Sequence, residues 1–489
     1  MSEVKTRFAP SPTGYMHIGN LRTALYAYLT AKSMDGKFIL RIEDTDQDRK
    51  VDGAIQVIYD TLAIAGLHND EGPDCGGPAA PYVQSERLAI YREYAQKLVD
   101  QGDAYYCFCT KERLAELHEA QQAPDFKGRH GYDGHCRDLP KEEVDALLAA
   151  GTPYVIRQKA PQAGTTAYRD VVFGEVSVNN SELQDIVLIK ADGFPTYNFA
   201  HVVDDHLMGV THVTRGSEYV AQTPSYILIY RAFGWEHPTY IHLPLIMGKD
   251  AEGNVAKLSK RHGSVSFQDM IADGYLPEAI INYIALLGWN PKTDEEMFTL
   301  AELEKRFTPD AINKSPAIFD YEKLLWFNGQ YIRKLSPEAF LEKALPFIRE
   351  AVKNEAYDAG KIAALLQQRL EKMTQIPAQL TFFDAMPEFE DELYVNKKSK
   401  SSLETAPAAL AKGIEVLEGL EEWTNEKLYY ALKEAADELG LKANAVMWAV
   451  RIAVTGTMVT PGGATDILEI LGKEESLARM KKAAERFSA

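Results

Sequence analysis

Residues Phe8 to Asn20 read FAPSPTGYMHIGN, a loop shaped by prolines and glycine between a short apolar strand and a helix. Upstream, Lys5 to Ala9 reads as the strand. Downstream, a helix starts near Ile18, with Leu21, Leu25, Tyr28 and Leu29 on one face at helical spacing. Gly36 ends the helix and Lys37 to Ile42 returns as an apolar strand. A strand–helix–strand unit of this size suits a parallel sheet with a right-handed crossover. Open α/β sheets bind ligands at the carboxyl ends of their strands, which is where this loop falls. His17 stands at the helix entrance, where free N–H groups and the positive dipole end favour phosphate oxygens. Gly19 removes a side chain where an adenine or ribose could approach. Further strands fit Asp185 to Lys190, Thr211 to Arg215 and Tyr240 to Met247.

A second stretch lies far downstream, Ala256 to Ser264, reading AKLSKRHGS after a strand and a loop of small and charged residues. Lys257, Lys260 and Arg261 concentrate positive charge there. Cations on a mobile loop suit a transition state in which pyrophosphate leaves and negative charge accumulates. Taken alone, such a run is more often a solvated face. Paired with a His-x-Gly loop after the first strand, it is far more specific.

Between the two, from about Tyr105 to Ser181, lies a segment of different character that reads as a domain inserted into the sheet domain. It holds Cys107, Cys109 and Cys136 out of four cysteines, and a Gly/His/Arg-rich stretch from Lys127 to Arg137. Clustered cysteines in an intracellular chain point to a metal site before a bridge. After about Pro309 the pattern turns helical. Ser336-Pro337 is a helix start, Thr424 opens another helix, and Gly440 is a C-terminal stop. The Lys/Ser run from Lys397 to Ser402 reads as a solvated linker.

Length and composition set the bounds. A chain of 489 residues exceeds a single core and implies about three to five domains. Its apolar share of 46% and charged share of 25% are those of an ordinary globular protein. No apolar run is long enough to cross a bilayer, and Met1 to Phe8 has no signal-peptide core, so a cytoplasmic chain with no membrane role is expected. The net charge of −18 weighs against non-specific nucleic-acid binding, yet a local basic patch can sit on an acidic protein.

Together the two loops resemble the HIGH and KMSKS signatures of class I aminoacyl-tRNA synthetases. RIEDTD (Arg41 to Asp46) and PTYNFAHVVDDHLMGVTHVTRG (Pro195 to Gly216) narrow the resemblance to the bacterial type of glutamyl-tRNA synthetase. GYLPEAIINYIALLGW (Gly274 to Trp289) and FDYEKLLWFNGQYI (Phe319 to Ile332) are similar to that family's stem-contact and anticodon-side segments. The resemblance implies a multidomain α/β plus all-α chain. A Rossmann-like parallel-sheet catalytic domain would occupy 1–104 and 182–248, with an acceptor-stem-binding insertion at 105–181. A stem-contact domain carrying the KLSKR loop would follow at 249–335, and a helical anticodon-binding region at 336–489. Implied partners are ATP with magnesium, glutamate and tRNA(Glu), with charging of tRNA(Gln) left open, and the family default is a monomer.

The resemblance also implies residue roles. His17 and Lys260 would be catalytic, stabilising the ATP phosphates, with Gly19, Asn20 and Lys257 completing the ATP site. Arg7 and Arg215 would hold the glutamate side-chain carboxylate and Glu43 its α-ammonium, with Ala9, Ser11 and Tyr197 lining the pocket. An anionic side chain calls for arginine's two-pronged donor geometry, which also rejects the neutral amide of glutamine. Asn20 stands where the signature has a second histidine, His201 where some relatives carry asparagine, and Ser217 where an acid is frequent. Neither Ser217 nor the adjacent Glu218 is assigned a catalytic role. Family members with zinc hold it at Cys-x-Cys and Cys-x-His. Here that gives Cys107, Cys109, Cys136 and Asp138, with Tyr132 or His135 as alternatives for the fourth position.

Overall fold

The computed structural model describes residues 3–46, 51–123, 126–128, 130–250, 252–259 and 262–487. They fall into two compact units, one formed by 1–270 with 280–320 and the other by 271–279 with 321–489.

The first unit begins with β1 (Lys5–Phe8), a helix (Ile18–Ser33) and β2 (Lys37–Leu40), with Arg7 opposite Ile39 in a parallel register. The return is tight at Gly36, where a Cβ would run into the Val4 carbonyl, so only glycine lets the strands close up. There follow β3 (Ala104–Cys107), β4 (Val155–Gln158), β5 (Thr165–Asp170), β6 (Gly174–Asn179) and β7 (Val187–Ile189). After the helix Tyr197–Leu207 come β8 (His212–Gly216), the helix Thr223–Ala232 and β9 (Thr239–Leu243). A hairpin of β10 (Ile246–Lys249) and β11 (Val255–Lys257), with β12 (Ala317–Ile318), forms a small third sheet.

The main sheet has the order β2-β1-β8-β9-β5-β6, parallel except for β6. The chain steps from β1 to β2 in one direction and from β8 to β9 in the other. The switch point therefore lies between β1 and β8, where such sheets open a crevice at their carboxyl ends. Three strands sit differently from the sequence reading. Residues 165–179 of the inserted segment form the edge hairpin of the main sheet. The alternating burial of β5 explains this, because Tyr168 joins Ile39, Val213, Ile227 and Tyr240 in one apolar cluster. Conversely, Val187–Ile189, expected in the main sheet, pairs with β4 in the antiparallel sheet β3-β4-β7.

The two signature loops are stitched together. The Ile18 N–H donates to the Val265 carbonyl at 2.9 Å and the Phe267 N–H to the Met16 carbonyl at 3.1 Å.

The second unit is helical, with a single core that includes Phe340, Ile348, Leu366, Leu410, Leu432, Val450, Leu468 and Met480. Ser336 caps the helix Pro337–Ala351 by accepting the Ala339 N–H at 3.2 Å, and Thr424 caps Asn425–Glu438. Gly440 follows that second helix with φ +65. Lys397 to Ser402 is more ordered than a linker: Asn396 and Ser401 exchange both backbone hydrogen bonds, at 2.9 and 3.1 Å, and Ser401 is buried. No helix among the described residues is long and apolar enough to cross a membrane.

Candidate active site

A cleft of about 870 Å³ opens at the carboxyl ends of β1, β2, β8 and β9. Arg7, Ala9 and Ser11 reach it from the end of β1, and His17, Gly19 and Asn20 from the helix entrance. Glu43 enters just after β2, Tyr197 from the first turn of its helix, Arg215 from β8 and Lys257 from the β10–β11 hairpin. Ten of the sequence-assigned residues thus meet in one place. Lys260, and Arg261 beside it, lie outside the described residues.

Arg215 is buried, and its guanidinium has no carboxylate partner among the described residues. Its Nε donates to His242 Nε2 at 3.1 Å, Nη1 faces His201 Nε2 at 3.4 Å, and Nη2 donates to Thr223 Oγ1 at 2.6 Å. The rings of Tyr219, Tyr226 and Tyr240 lie 5.0 to 5.1 Å from its centre, and the Tyr197 phenol is beside it. Every one of these partners is neutral. Because guanidinium only donates, the imidazole nitrogens facing it must accept. His201 therefore carries its proton on Nδ1, given to the Tyr197 carbonyl at 2.7 Å. Burial, reinforced by Arg215, drops the His201 pKa to about 3, so the ring stays neutral. A buried cation surrounded only by neutral groups is unstable unless an anion joins it.

Arg7 and Glu43 belong to a balanced cluster beneath the cleft. Asp205 accepts from Arg7 Nε at 3.2 Å and from Arg41 Nη1 at 2.7 Å. Arg41 also donates from Nη2 to Glu43 Oε1 at 2.9 Å. Burial raises the Glu43 pKa, while Arg41 and Arg7 oppose the rise. Despite burial, Arg7 and Arg41 hold Asp205 down to about 2. Arg41, Asp204 and Asp205 sit inside the quoted family stretches but drew no role from sequence. Consecutive acids on a largely apolar helix were the available signal for buried ion pairs. Thr223, which opens a helix, and Asp170 and His242, which lie on strands, were also missed, since isolated polar residues give no distinctive pattern.

His17 caps its helix, its Nδ1 accepting the Gly19 N–H at 3.0 Å, which leaves the ring proton on Nε2. Burial lowers its pKa against a backbone hydrogen bond at Leu258 that raises it, with Lys257 adding to the fall. The missing Cβ of Gly19 faces this ring, 3.3 Å from His17 Nδ1, so the glycine makes room for the histidine itself. Ser217 opens the short turn Ser217–Tyr219 without lining the cleft, while Glu218 lines it with its carboxylate folded over Gly216.

Residues 3–326 match the family described as tRNA synthetases class I (E and Q), catalytic domain, and residues 339–484 match an anticodon binding domain. The chain is 56% identical to a glutamate–tRNA ligase of Clostridium tetani, over 99% of this chain and 98% of that protein. A second relative, from Clostridium novyi, is 54% identical over 99% and 98% of the two chains. The chain belongs to the glutamyl-tRNA synthetase family of class I. Among solved structures of that family, a glutamate tRNA ligase of Elizabethkingia meningosepticum in complex with its amino acid is similar at 38% identity. Its TM-score is 0.90, with 99% of both chains covered. A glutamate-tRNA synthetase of Elizabethkingia anophelis gives 36% identity and a TM-score of 0.89 over 99% and 100%.

The glutamyl-tRNA synthetase resemblance also placed a metal in the inserted segment. Cys107, Cys109 and Cys136 bring their sulfurs within 4.8 Å of one another. The Tyr132 hydroxyl joins them, 3.3 Å from Cys107 Sγ and 3.7 Å from Cys109 Sγ. Asp138 is not brought to this group: it is exposed and pairs with Lys159 Nζ at 3.0 Å. The exposed His135 uses its backbone N–H on Asp133.

Proposed function

We propose that this chain is a glutamate–tRNA ligase, with glutamate held in the cleft by Arg215, Arg7 and Glu43. The observation that carries the reading is the buried Arg215 guanidinium, surrounded by neutral acceptors and without a carboxylate partner among the described residues. A glutamate side-chain carboxylate supplies that anion with paired charge-assisted hydrogen bonds. Glu43, whose Oε1 is taken by Arg41, offers its second oxygen to the α-ammonium. Glutamate's α-carboxylate then attacks the α-phosphate of ATP, giving glutamyl-adenylate and pyrophosphate. The 3′-terminal ribose hydroxyl of tRNA(Glu) takes the glutamyl group in the second step.

No protein nucleophile is needed, so the residues act by positioning and charge stabilisation. Neutral His17 donates from Nε2 towards phosphate oxygen, while Lys257 and Lys260 offset the charge of the leaving pyrophosphate. Among the described residues, the acids lining the cleft are Glu43, engaged by Arg41, and Glu218. They make no built cage for magnesium, which phosphates and water would hold. Residues 105–181 are the candidate seat for the acceptor end, 249–335 for the stem, and 336–489 for the anticodon, whose unpaired bases are readable by stacking and hydrogen bonds. Three clustered thiols suit tetrahedral zinc, with the Tyr132 oxygen as the fourth donor in place of Asp138. Zinc there would tie the inserted segment together. A cytoplasmic monomer fits this role.

Glutamate-dependent ATP–pyrophosphate exchange tests the reading. Exchange is expected only when tRNA is present, as the family resemblance implies. Robust exchange without tRNA contradicts that coupling, and none under either condition contradicts the activity.

A further inference from the structure

We propose that Asp170 and His242 are positioning residues that hold Arg215 in a fixed orientation and so set the preference for glutamate over glutamine. The proposal rests on the reading of Arg215 as the carboxylate receptor. Its basis is a chain of buried contacts running across three strands of the main sheet.

The β8–β9 register places Arg215 opposite His242, and the β5–β9 register places Asp170 opposite Tyr240, next along the sheet. Asp170 Oδ1 accepts the backbone N–H groups of Val172 at 2.9 Å and Phe173 at 2.8 Å. Its Oδ2 accepts the His242 backbone N–H at 3.2 Å and the His242 Nδ1–H at 2.6 Å. This fixes the ring proton on Nδ1 and turns the Nε2 lone pair towards Arg215 Nε. Asp170, His242, Thr223 and Arg215 are all buried, so water cannot substitute for any of these bonds.

The order of the groups matters. A carboxylate in direct contact with Arg215 would satisfy the guanidinium and weaken its hold on substrate. With a neutral imidazole between them, Asp170 orients the arginine and leaves its charge uncompensated. Thr223 Oγ1 fixes a second edge, accepting from Nη2 and passing its own proton to the Tyr219 carbonyl at 2.7 Å. A rigid donor fork meets a carboxylate well and a glutamine NH₂ group badly, because donor then faces donor. A loosened fork can turn away and lose that contrast.

Asp170→Asn separates this role from simple packing. Its oxygen stays with the Val172 and Phe173 N–H groups, so its NH₂ faces His242 Nδ1. The imidazole then shifts its proton to Nε2, presenting a donor to Arg215 Nε, by the tautomer logic known for a serine-protease aspartate. Thr223→Val keeps the shape at the second edge and removes the hydroxyl, which is both the acceptor for Arg215 Nη2 and the donor to the Tyr219 carbonyl.

The test uses the full chain with tRNA, measuring exchange kinetics for both variants, with glutamate and glutamine as competing substrates. The expected result is a KM for glutamate raised about 10- to 100-fold, the loss of one hydrogen bond to a charged group. The KM for ATP should be unchanged and the preference over glutamine narrowed. Asp170→Asn with wild-type glutamate KM and wild-type preference would overturn the proposal. So would a fall in kcat with both KM values unchanged, which is the mark of a structural role. If Asp170→Asn does not fold, Thr223→Val decides by the same criteria. Arg215→Lys keeps the two readings apart. If it retains the wild-type glutamate KM, the receptor reading fails. If it alone loses glutamate, only the positioning role fails.

Discussion

A guanidinium buried among neutral acceptors costs several kcal/mol in desolvation unless an anion completes it, and Arg215 is held in that state by two imidazoles and a hydroxyl. Arg7, by contrast, is already paired with Asp205, so the two arginines named together by motif are not equivalent. Motifs gave both residue types but not this difference, because pairing depends on strands that meet only in the fold. The histidines add a pH signature. His201, His242 and His17 all have pKa values lowered by burial. The unfolded chain therefore binds protons near pH 6.5 that the folded chain does not, and stability falls as pH drops below that value. Asp205 acts only lower, between its ordinary range and about 2. Thermal unfolding followed from pH 6.5 to 4.5 should show this loss, with His201→Asn flattening it by up to about 1.4 kcal/mol per pH unit. An unchanged slope would mean that His201 is protonated in the folded protein. Lys260, placed by motif alone, is expected to lose about 10²- to 10³-fold in adenylate formation as Lys260→Ala. Near-wild-type exchange would remove it from the catalytic set.

Among the elements, the first strand–helix–strand unit was legible because its signals agree: an apolar strand, a Pro/Gly-shaped loop, helical periodicity from Ile18 and a glycine stop. The β5–β6 hairpin was not. Its alternating pattern marks a half-buried strand without naming the sheet it joins, and chain order suggested the insertion. The cysteine element was readable as ligand types, yet spacing alone could not choose the fourth donor. The fold puts the Tyr132 hydroxyl against Cys107 and Cys109 and turns Asp138 to Lys159. Metal analysis of the purified chain is expected to find about one zinc per chain, as a single tetrahedral set allows. Tyr132→Phe and Cys136→Ser should both lower zinc retention against a chelator, while Asp138→Asn should not. The reverse ranking would return the fourth position to Asp138.

At the scale of the whole molecule, sequence suggested five segments, whereas Cα packing gathers the described chain into two units. Sequence texture marks changes of composition and packing marks shared cores, so the two divide the chain on different grounds. Net charge misleads for a similar reason. A total of −18 describes solubility and long-range fields, while tRNA recognition depends on local cations and readable bases. The catalytic cleft and the helical unit together make a ligase that must select both an amino acid and an RNA. Aminoacylation with radiolabelled glutamate, using separate transcripts of tRNA(Glu) and tRNA(Gln), tests that most directly. Charging of tRNA(Glu) is the expected result, and the tRNA(Gln) reaction defines the scope. Charging of neither transcript, with native modified tRNA also tried, would contradict it.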